Sequence, residues 1–295
     1  MISIIITSYK EPETIGKAIE SFLQQDIKEK YELIISAPDK ETLDVAKSYG
    51  RKDKRIKIFK DEGKGKSNAI NEVLKIIKGE VIILTDGDVF VSENSVNEIL
   101  DKFKDEKVGC VSGKPLSQNS RSNLFGYWSH LLTYAAHKLR EKRSAQGNFL
   151  ECSGYLWAFR NFVIKKFPKD IAEDTIVPVL FWLKEYKIKY AEKAEVYVKF
   201  PSNLKDFLKQ KRRAAGSHDN IGRYTNPRKI PRMKTFFNEI LGSLNLFYYS
   251  NNFKEFLYTL ILFPIRFYIW LNLFYNSKIK RKKYSDAWKR VESTK

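Results

Sequence analysis

The first hundred residues alternate two kinds of apolar pattern. Residues 2–7, 33–35, 56–59 and 81–84 are short apolar runs with almost no polar interruption. Such runs read as strands buried on both faces. Between them, apolar residues recur at helical spacing. Ile15, Ala18, Ile19 and Phe22 follow Pro12, a residue suited to a first turn. Leu43 and Ala46 precede Gly50, a helix stop. Ala69, Ile70, Val73, Leu74 and Ile77 follow a Gly-Lys-Gly-Lys loop. Repeated strand–helix units of this length predict an α/β fold, a mostly parallel sheet flanked by helices.

Beyond Asp88 the pattern is less regular. Strands are predicted at 108–112 and 155–159, and helices at 124–139, 174–186 and 204–215, the last one basic. The last sixty residues change character again, with apolar-aromatic stretches at 236–249 and 256–275 separated by Ser250-Asn251-Asn252. The first stretch is too short to span a bilayer. The second approaches the roughly 20 residues a spanning helix needs, but it holds Pro264 and Arg266, and charge at mid-membrane is costly. A pair of interfacial helices or a shallow hairpin fits better, and a buried C-terminal helix pair is the plain alternative. The expected organisation is a domain over 1–225, with a nucleotide-binding half at 1–112 and an acceptor half at 113–225, followed by a basic, apolar-aromatic helical region at 226–295.

A chain of 295 residues with 43% hydrophobic and 30% charged content can bury a large core. Its 54 basic against 35 acidic residues give a formal charge of +19, which calls for an anionic partner. The basic clusters at 209–213, 228–234 and 278–283 lie late, and the last two bracket the apolar segment. That arrangement favours an anionic membrane surface over nucleic acid, and basic flanks at both ends point to the cytoplasmic side. Cys110 and Cys152 offer neither a disulfide framework nor zinc spacing, and the residues after Met1 do not form a signal peptide.

Candidate chemistry gathers where open α/β sheets put their ligands, at the carboxyl ends of strands. Asp86-Gly87-Asp88 directly follows the apolar run at 81–84. It is either a polar turn or a pair of hard oxygen ligands for a divalent cation on a diphosphate. Residues 7–11 end the first strand on the same edge, and Lys64 and Lys66 stand at a helix start suited to phosphate. Glu173 and Asp174 precede an apolar helix, as a cap and dipole partner or as a general base. Gln210, Arg212 and Arg213 lie on the basic helix and could clamp a diphosphate or simply face solvent. His218 could complete a metal site or be a surface residue, whereas His130 and His137 read as structural.

Taken in order, these residues resemble the family 2 glycosyltransferases with the GT-A fold, in particular membrane-associated relatives of the cellulose, chitin and hyaluronan synthases. The resemblance rests on residues 4–11, on Gly63–Asn71 (GKGKSNAIN), Asp86-Gly87-Asp88, residues 153–160, Glu173-Asp174 and residues 210–213, and it covers roughly 1–215. It implies that Asp86 and Asp88 hold Mg²⁺ or Mn²⁺ on the diphosphate of a nucleotide sugar, with Asp174 as base beside Glu173. It implies donor contacts at Thr7, Tyr9, Glu11, Asp39, Lys64, Lys66, Gly154, Gln210, Arg212 and Arg213, and a glycan or lipid-linked acceptor. Two departures stand out. Asp39 is displaced from the usual aspartate pair after the second strand, and Ala214 replaces the tryptophan of the family's QxxRW region. The second departure argues for single additions over processive polymerisation. The competing readings are a polyprenyl-phosphate sugar transferase, a catalytically dead sugar-binding module and a basic nucleic-acid-binding protein.

Overall fold

The computed structural model describes residues 1–216, 220–226, 230, 233, 244–275 and 291–294. Among them the chain forms two compact units, one of Met1–Leu116 and Arg140–Val198, the other of Ser117–Leu139 and the described residues from Lys199 on.

The first unit is built on an eight-stranded sheet ordered β3-β2-β1-β4-β7-β6-β8-β5. Four strands run parallel, as the unbroken apolar runs predict: β1 (Ile2–Thr7), β2 (Tyr31–Ala37), β3 (Ile56–Lys60) and β4 (Val81–Asp86). Every residue of β1 and β2 is buried. Helices α1 (Ile15–Leu23) and α2 (Lys40–Gly50) lie where the helical spacing put them. Helix α3 (Lys66–Val73) is shorter than predicted, and Lys75 and Ile76 beyond it are exposed.

The other half corrects the expectation of a mostly parallel sheet. β5 (Phe90–Val91), β6 (Val108–Ser117), β7 (Leu156–Arg160) and β8 (Lys187–Val198) make the sheet mixed, because β7 pairs antiparallel with β4 and β6, and β5 antiparallel with β8. Helix α4 (Ser95–Lys102), β5 and β8 were not foreseen. β7 leads through residues 161–172 to α6 (Glu173–Trp182), which opens on the two acids. Cys110 and Cys152 are buried and unbridged, and burial raises both thiols.

The second unit includes α7 (Leu204–Gly216), a 3-10 turn at Leu244–Tyr249 and α8 (Phe253–Phe274). Helix α5 (Leu124–Ala145) has residues 124–139 in the second unit and 140–145 in the first. Among the described residues no helix is long and apolar enough to cross a membrane. Of the two C-terminal stretches, α8 realises the second, and most of the first, 236–249, lies outside the described residues.

Candidate active site

The site begins with strand register. β1 and β4 are parallel neighbours with Thr7 opposite Asp86, so their carboxyl ends emerge side by side. The Thr7 hydroxyl donates to Asp86 Oδ1 at 3.3 Å, and the Gly87 amide donates to the Thr7 carbonyl at 3.0 Å. Gly87 is walled in by the chain after β1, where the Ser8 hydroxyl donates to Glu11 Oε2 at 2.7 Å. A Cβ at Gly87 would lie 2.4 Å from Ser8 Oγ and 2.7 Å from Glu11 Oε2. The spacer between the aspartates is therefore a glycine because the wall leaves no room for a side chain.

Lys66 ties this edge to the acids of α6. Gly65 precedes it with φ at 104°, a conformation open to glycine. The Lys66 ammonium lies 2.6 Å from Asp86 Oδ1, 3.1 Å from Glu173 Oε1 and 3.5 Å from the Gly154 carbonyl. Burial works against its charge, but the Asp86 and Glu173 carboxylates outweigh burial and raise its pKa. Gly154 also sets Asp174, since a Cβ there would lie 2.7 Å from Asp174 Oδ2. Burial, reinforced by Glu173 and offset by Lys66, pushes the Asp174 carboxyl up to about 7. One largely buried cation thus faces three acids, Asp86, Glu173 and Asp174. The cluster is left electronegative and contains a carboxyl poised near neutral pH, a combination suited to a cation and a proton acceptor.

The neighbouring residues meet the sequence reading unevenly. Asp39 caps α2, accepting the Thr42 amide at 3.0 Å and the Lys10 amide at 2.8 Å. Burial opposes its ionisation, yet these bonds hold its pKa below the ordinary range. Lys10 sits in the left-handed region at φ 55°, a local strain of the kind found at binding loops. Lys64 is exposed and pairs with Glu62 at 2.7 Å, so Lys66 is the lysine of the cluster. Sequence reasoning missed Asp61, which is buried at the end of β3 and accepts the Ser36 hydroxyl at 2.9 Å and the Gly63 amide at 2.8 Å. Its single available signal is an acid one residue after a strand. Tyr9 is half-buried beneath the Lys10 ammonium, 5.5 Å from its ring centre.

Gln210, Arg212 and Arg213 belong to the second unit, on α7. There Arg212 and Arg213 are exposed, and Arg212 donates to the Tyr268 hydroxyl at 3.2 Å. His218 lies outside the described residues. His130 hydrogen-bonds the Asn119 carbonyl at 2.7 Å, in keeping with a structural role.

Among the described residues no group of three or more His, Cys, Asp or Glu gathers around a metal position. The protein's own contribution is the pair Asp86 and Asp88, both half-buried at the strand end. Two carboxylates with hard oxygen donors fit Mg²⁺ or Mn²⁺, cations that commonly take their remaining ligands from substrate phosphates and water.

Comparison with known proteins bears on this geometry. The family described as "Glycosyl transferase family 2" matches residues 3–167. The chain belongs to that family. It is similar to poly-beta-1,6-N-acetyl-D-glucosamine synthases, 26% identical over 227 residues to that of Staphylococcus epidermidis and 26% over 257 residues to that of Staphylococcus aureus strain COL. The matches cover 74% and 82% of this chain but 55% and 62% of those proteins, so the chain spans little more than half of the curated relatives' length. Its fold is similar to that of the mannosyltransferase PcManGT from Pyrobaculum calidifontis in complex with GDP-Man and Mn²⁺, with TM-score 0.61 and 16% identity over 88% of this chain and 73% of that one. It is also similar to S. aureus TarS 1-349 in complex with UDP-GlcNAc, with TM-score 0.52 and 16% identity over 88% of this chain and 79% of that one. The family 2 chain has the GT-A fold, built on a mixed sheet.

Proposed function

We propose that this family 2 protein transfers a sugar from a nucleotide-diphosphate donor to a hydroxyl of a glycan or glycolipid acceptor, with inversion. The observation that carries this reading is the convergence of Asp86, Lys66 and Glu173, with Asp174 lodged against Gly154. A diphosphate end and a proton-accepting end then occupy one sheet edge.

In this mechanism the acceptor O–H proton passes to the Asp174 carboxylate as the oxygen forms its bond to the anomeric carbon. The bond from that carbon to the donor phosphate breaks, and the nucleoside diphosphate leaves with the electron pair. Attack opposite the departing group inverts the centre. Lys66, positively charged and held on Asp86, favours the negative charge that grows on the leaving side. A divalent cation on Asp86 and Asp88 would neutralise further diphosphate charge there. Glu173 holds Lys66 in place and, as a like charge, keeps Asp174 basic. Ala214, where the family's synthases carry tryptophan, supports single additions.

The deciding experiment screens nucleotide sugars for turnover against hydroxyl-bearing and phosphate-bearing acceptors. Wild type is expected to use a hydroxyl acceptor and release an elongated product of one added sugar. Asp174→Asn is expected to lose at least about 10³-fold in turnover while still binding donor. Turnover with phosphate acceptors alone, undiminished in Asp174→Asn, would replace this mechanism with the polyprenyl-phosphate one.

A further inference from the structure

Helix α8 (Phe253–Phe274) has two apolar faces, and the second unit uses one of them. Leu262 and Ile269 are buried in a cluster with Tyr127, Trp128, Leu131 and Phe207. Polar bonds fix this inner face. The Trp128 indole donates to the Tyr258 carbonyl at 2.7 Å, and the Tyr127 and Thr259 hydroxyls lie 2.7 Å apart. Near the start of the helix, Arg121 reaches both Glu255 oxygens at 2.6 and 2.8 Å and the Tyr249 carbonyl at 2.9 Å. Locked in this way, α8 cannot roll to hide its opposite side.

That opposite side is the unusual one. Phe253, Leu257, Leu260, Phe267, Leu271 and Phe274 recur at steps of four, three, seven, four and three, with Pro264 completing the series. They are 41–74% exposed. The stripe follows one face of 22 residues, about 33 Å at helical rise. A soluble surface seldom shows an apolar strip of this extent without a partner.

Charge selects the partner. Between Glu255 and Tyr275 the helix carries a single charged side chain, Arg266. Cations border the stripe instead. Lys254 is exposed at its start, and Arg212 hydrogen-bonds the exposed Tyr268 at 3.2 Å. In sequence, Lys278, Lys280, Arg281, Lys282 and Lys283 follow its end. A second copy of this chain would bring one +19 molecule against another, whereas an anionic lipid surface complements both the apolar stripe and its basic border. No helix among the described residues is long and apolar enough to cross, so this contact lies in the membrane plane.

We propose that the outward face of α8 beds into the interfacial layer of an anionic phospholipid bilayer, lying along the surface with its cationic border at the headgroups. The proposal stands apart from the transfer reaction, and its test needs no turnover.

The test is co-sedimentation of the full chain with phosphatidylcholine vesicles and with vesicles of equimolar phosphatidylcholine and phosphatidylglycerol. Wild type should bind the anionic vesicles well, the neutral ones weakly, and lose part of the anionic binding in high salt. The double variant Leu260→Ser, Leu271→Ser should bind anionic vesicles about tenfold or more weakly, since two leucines lose their apolar burial. Its melting temperature and donor binding should match wild type, because the inner face is untouched. Wild type that ignores anionic vesicles would overturn the proposal, as would a double variant that binds like wild type. A concentration-dependent dimer dispersed by the same double variant, with no vesicle binding, would assign the stripe to a second copy instead.

Discussion

Asp174 is the residue at which stability and chemistry pull in opposite directions. Burial and Glu173 raise its pKa from 3.8 to about 7, so between those values the folded protein holds a proton that the unfolded chain has released. By linkage the folded state is then disfavoured as pH rises towards 7, and above 7 the full cost of ionised Asp174 is present. The proposed transfer needs that ionised form. Asp174→Asn should therefore melt higher than wild type at pH 8, with the difference shrinking towards pH 5, and should have almost no transferase activity. Thermal denaturation at the two pH values checks this, and a variant less stable than wild type at pH 8 would refute the electrostatic account. Wild-type kcat/KM should likewise fall as pH drops through and below about 7, with that acidic limb absent from the residual activity of Asp174→Asn. Gly154 belongs to the same argument. A Cβ there would stand 2.7 Å from Asp174 Oδ2, and misplacing a base by such a clash costs on the order of 10²-fold in rate. Gly154→Ala is expected to lose about that much kcat while donor affinity stays within a few-fold. Unaltered kcat in steady-state assays would mean that Asp174 has room to move.

At the level of elements, Lys66 fastens the start of α3 to the end of β4 and the first turn of α6 through Asp86 and Glu173. Removing one partner of such a largely buried network leaves charges uncompensated, at a cost of up to about 3–5 kcal/mol. Lys66→Met should reach the upper part of that range, because three acids lose their cation, and Lys66→Arg should recover part of the loss. Urea unfolding midpoints decide it, and equal midpoints for Met and Arg would show that packing, not charge, holds the corner. This corner also shows what was legible in the sequence. Four parallel strands could be read because residues such as Ile4, Ile34 and Ile83 are buried in unbroken apolar runs. Strand-end logic then pointed to Asp86, and the Gly-Lys loop at a helix start pointed to Lys66. The antiparallel half was harder. β8 reads KIKYAEKAEVYV, where Ile188, Tyr190, Ala194, Val196 and Val198 are buried between lysines and glutamates, an alternation that high charge content masked. β5 has two residues, too few for any period. Pairings that depend on the tertiary fold, such as Lys66 with Glu173, leave no local trace. Asp39 did leave one that pointed elsewhere, since the Asp39-x-x-Thr42 spacing is that of a helix cap, and a cap is what it forms.

For the whole molecule, the charge of +19 complicates the most obvious binding test. A protein so far from neutrality repels itself, and almost any polyanion will stabilise it by relieving that repulsion. A rise in melting temperature with a nucleotide is therefore weak evidence by itself. The geometry supplies a stricter criterion. Among the described residues the sheet edge offers the half-buried Asp86 and Asp88 to a cation, and these suit a metal that shares its coordination with a diphosphate. Metal and nucleotide diphosphate should then stabilise the fold together by more than the sum of their separate effects. At a ligand concentration of about 100 times Kd, linkage gives about 2.7 kcal/mol, and for a chain of this size that is a rise of roughly 5 °C. Asp88→Ala should abolish the joint increment and leave the small rise produced by inorganic polyphosphate without metal, which needs only the net charge. Differential scanning fluorimetry over the four combinations of nucleotide and Mn²⁺, in wild type and Asp88→Ala, separates these contributions. A joint increment that survives Asp88→Ala would place the cation elsewhere, and a nucleotide response indifferent to Mn²⁺ would leave only the net charge at work.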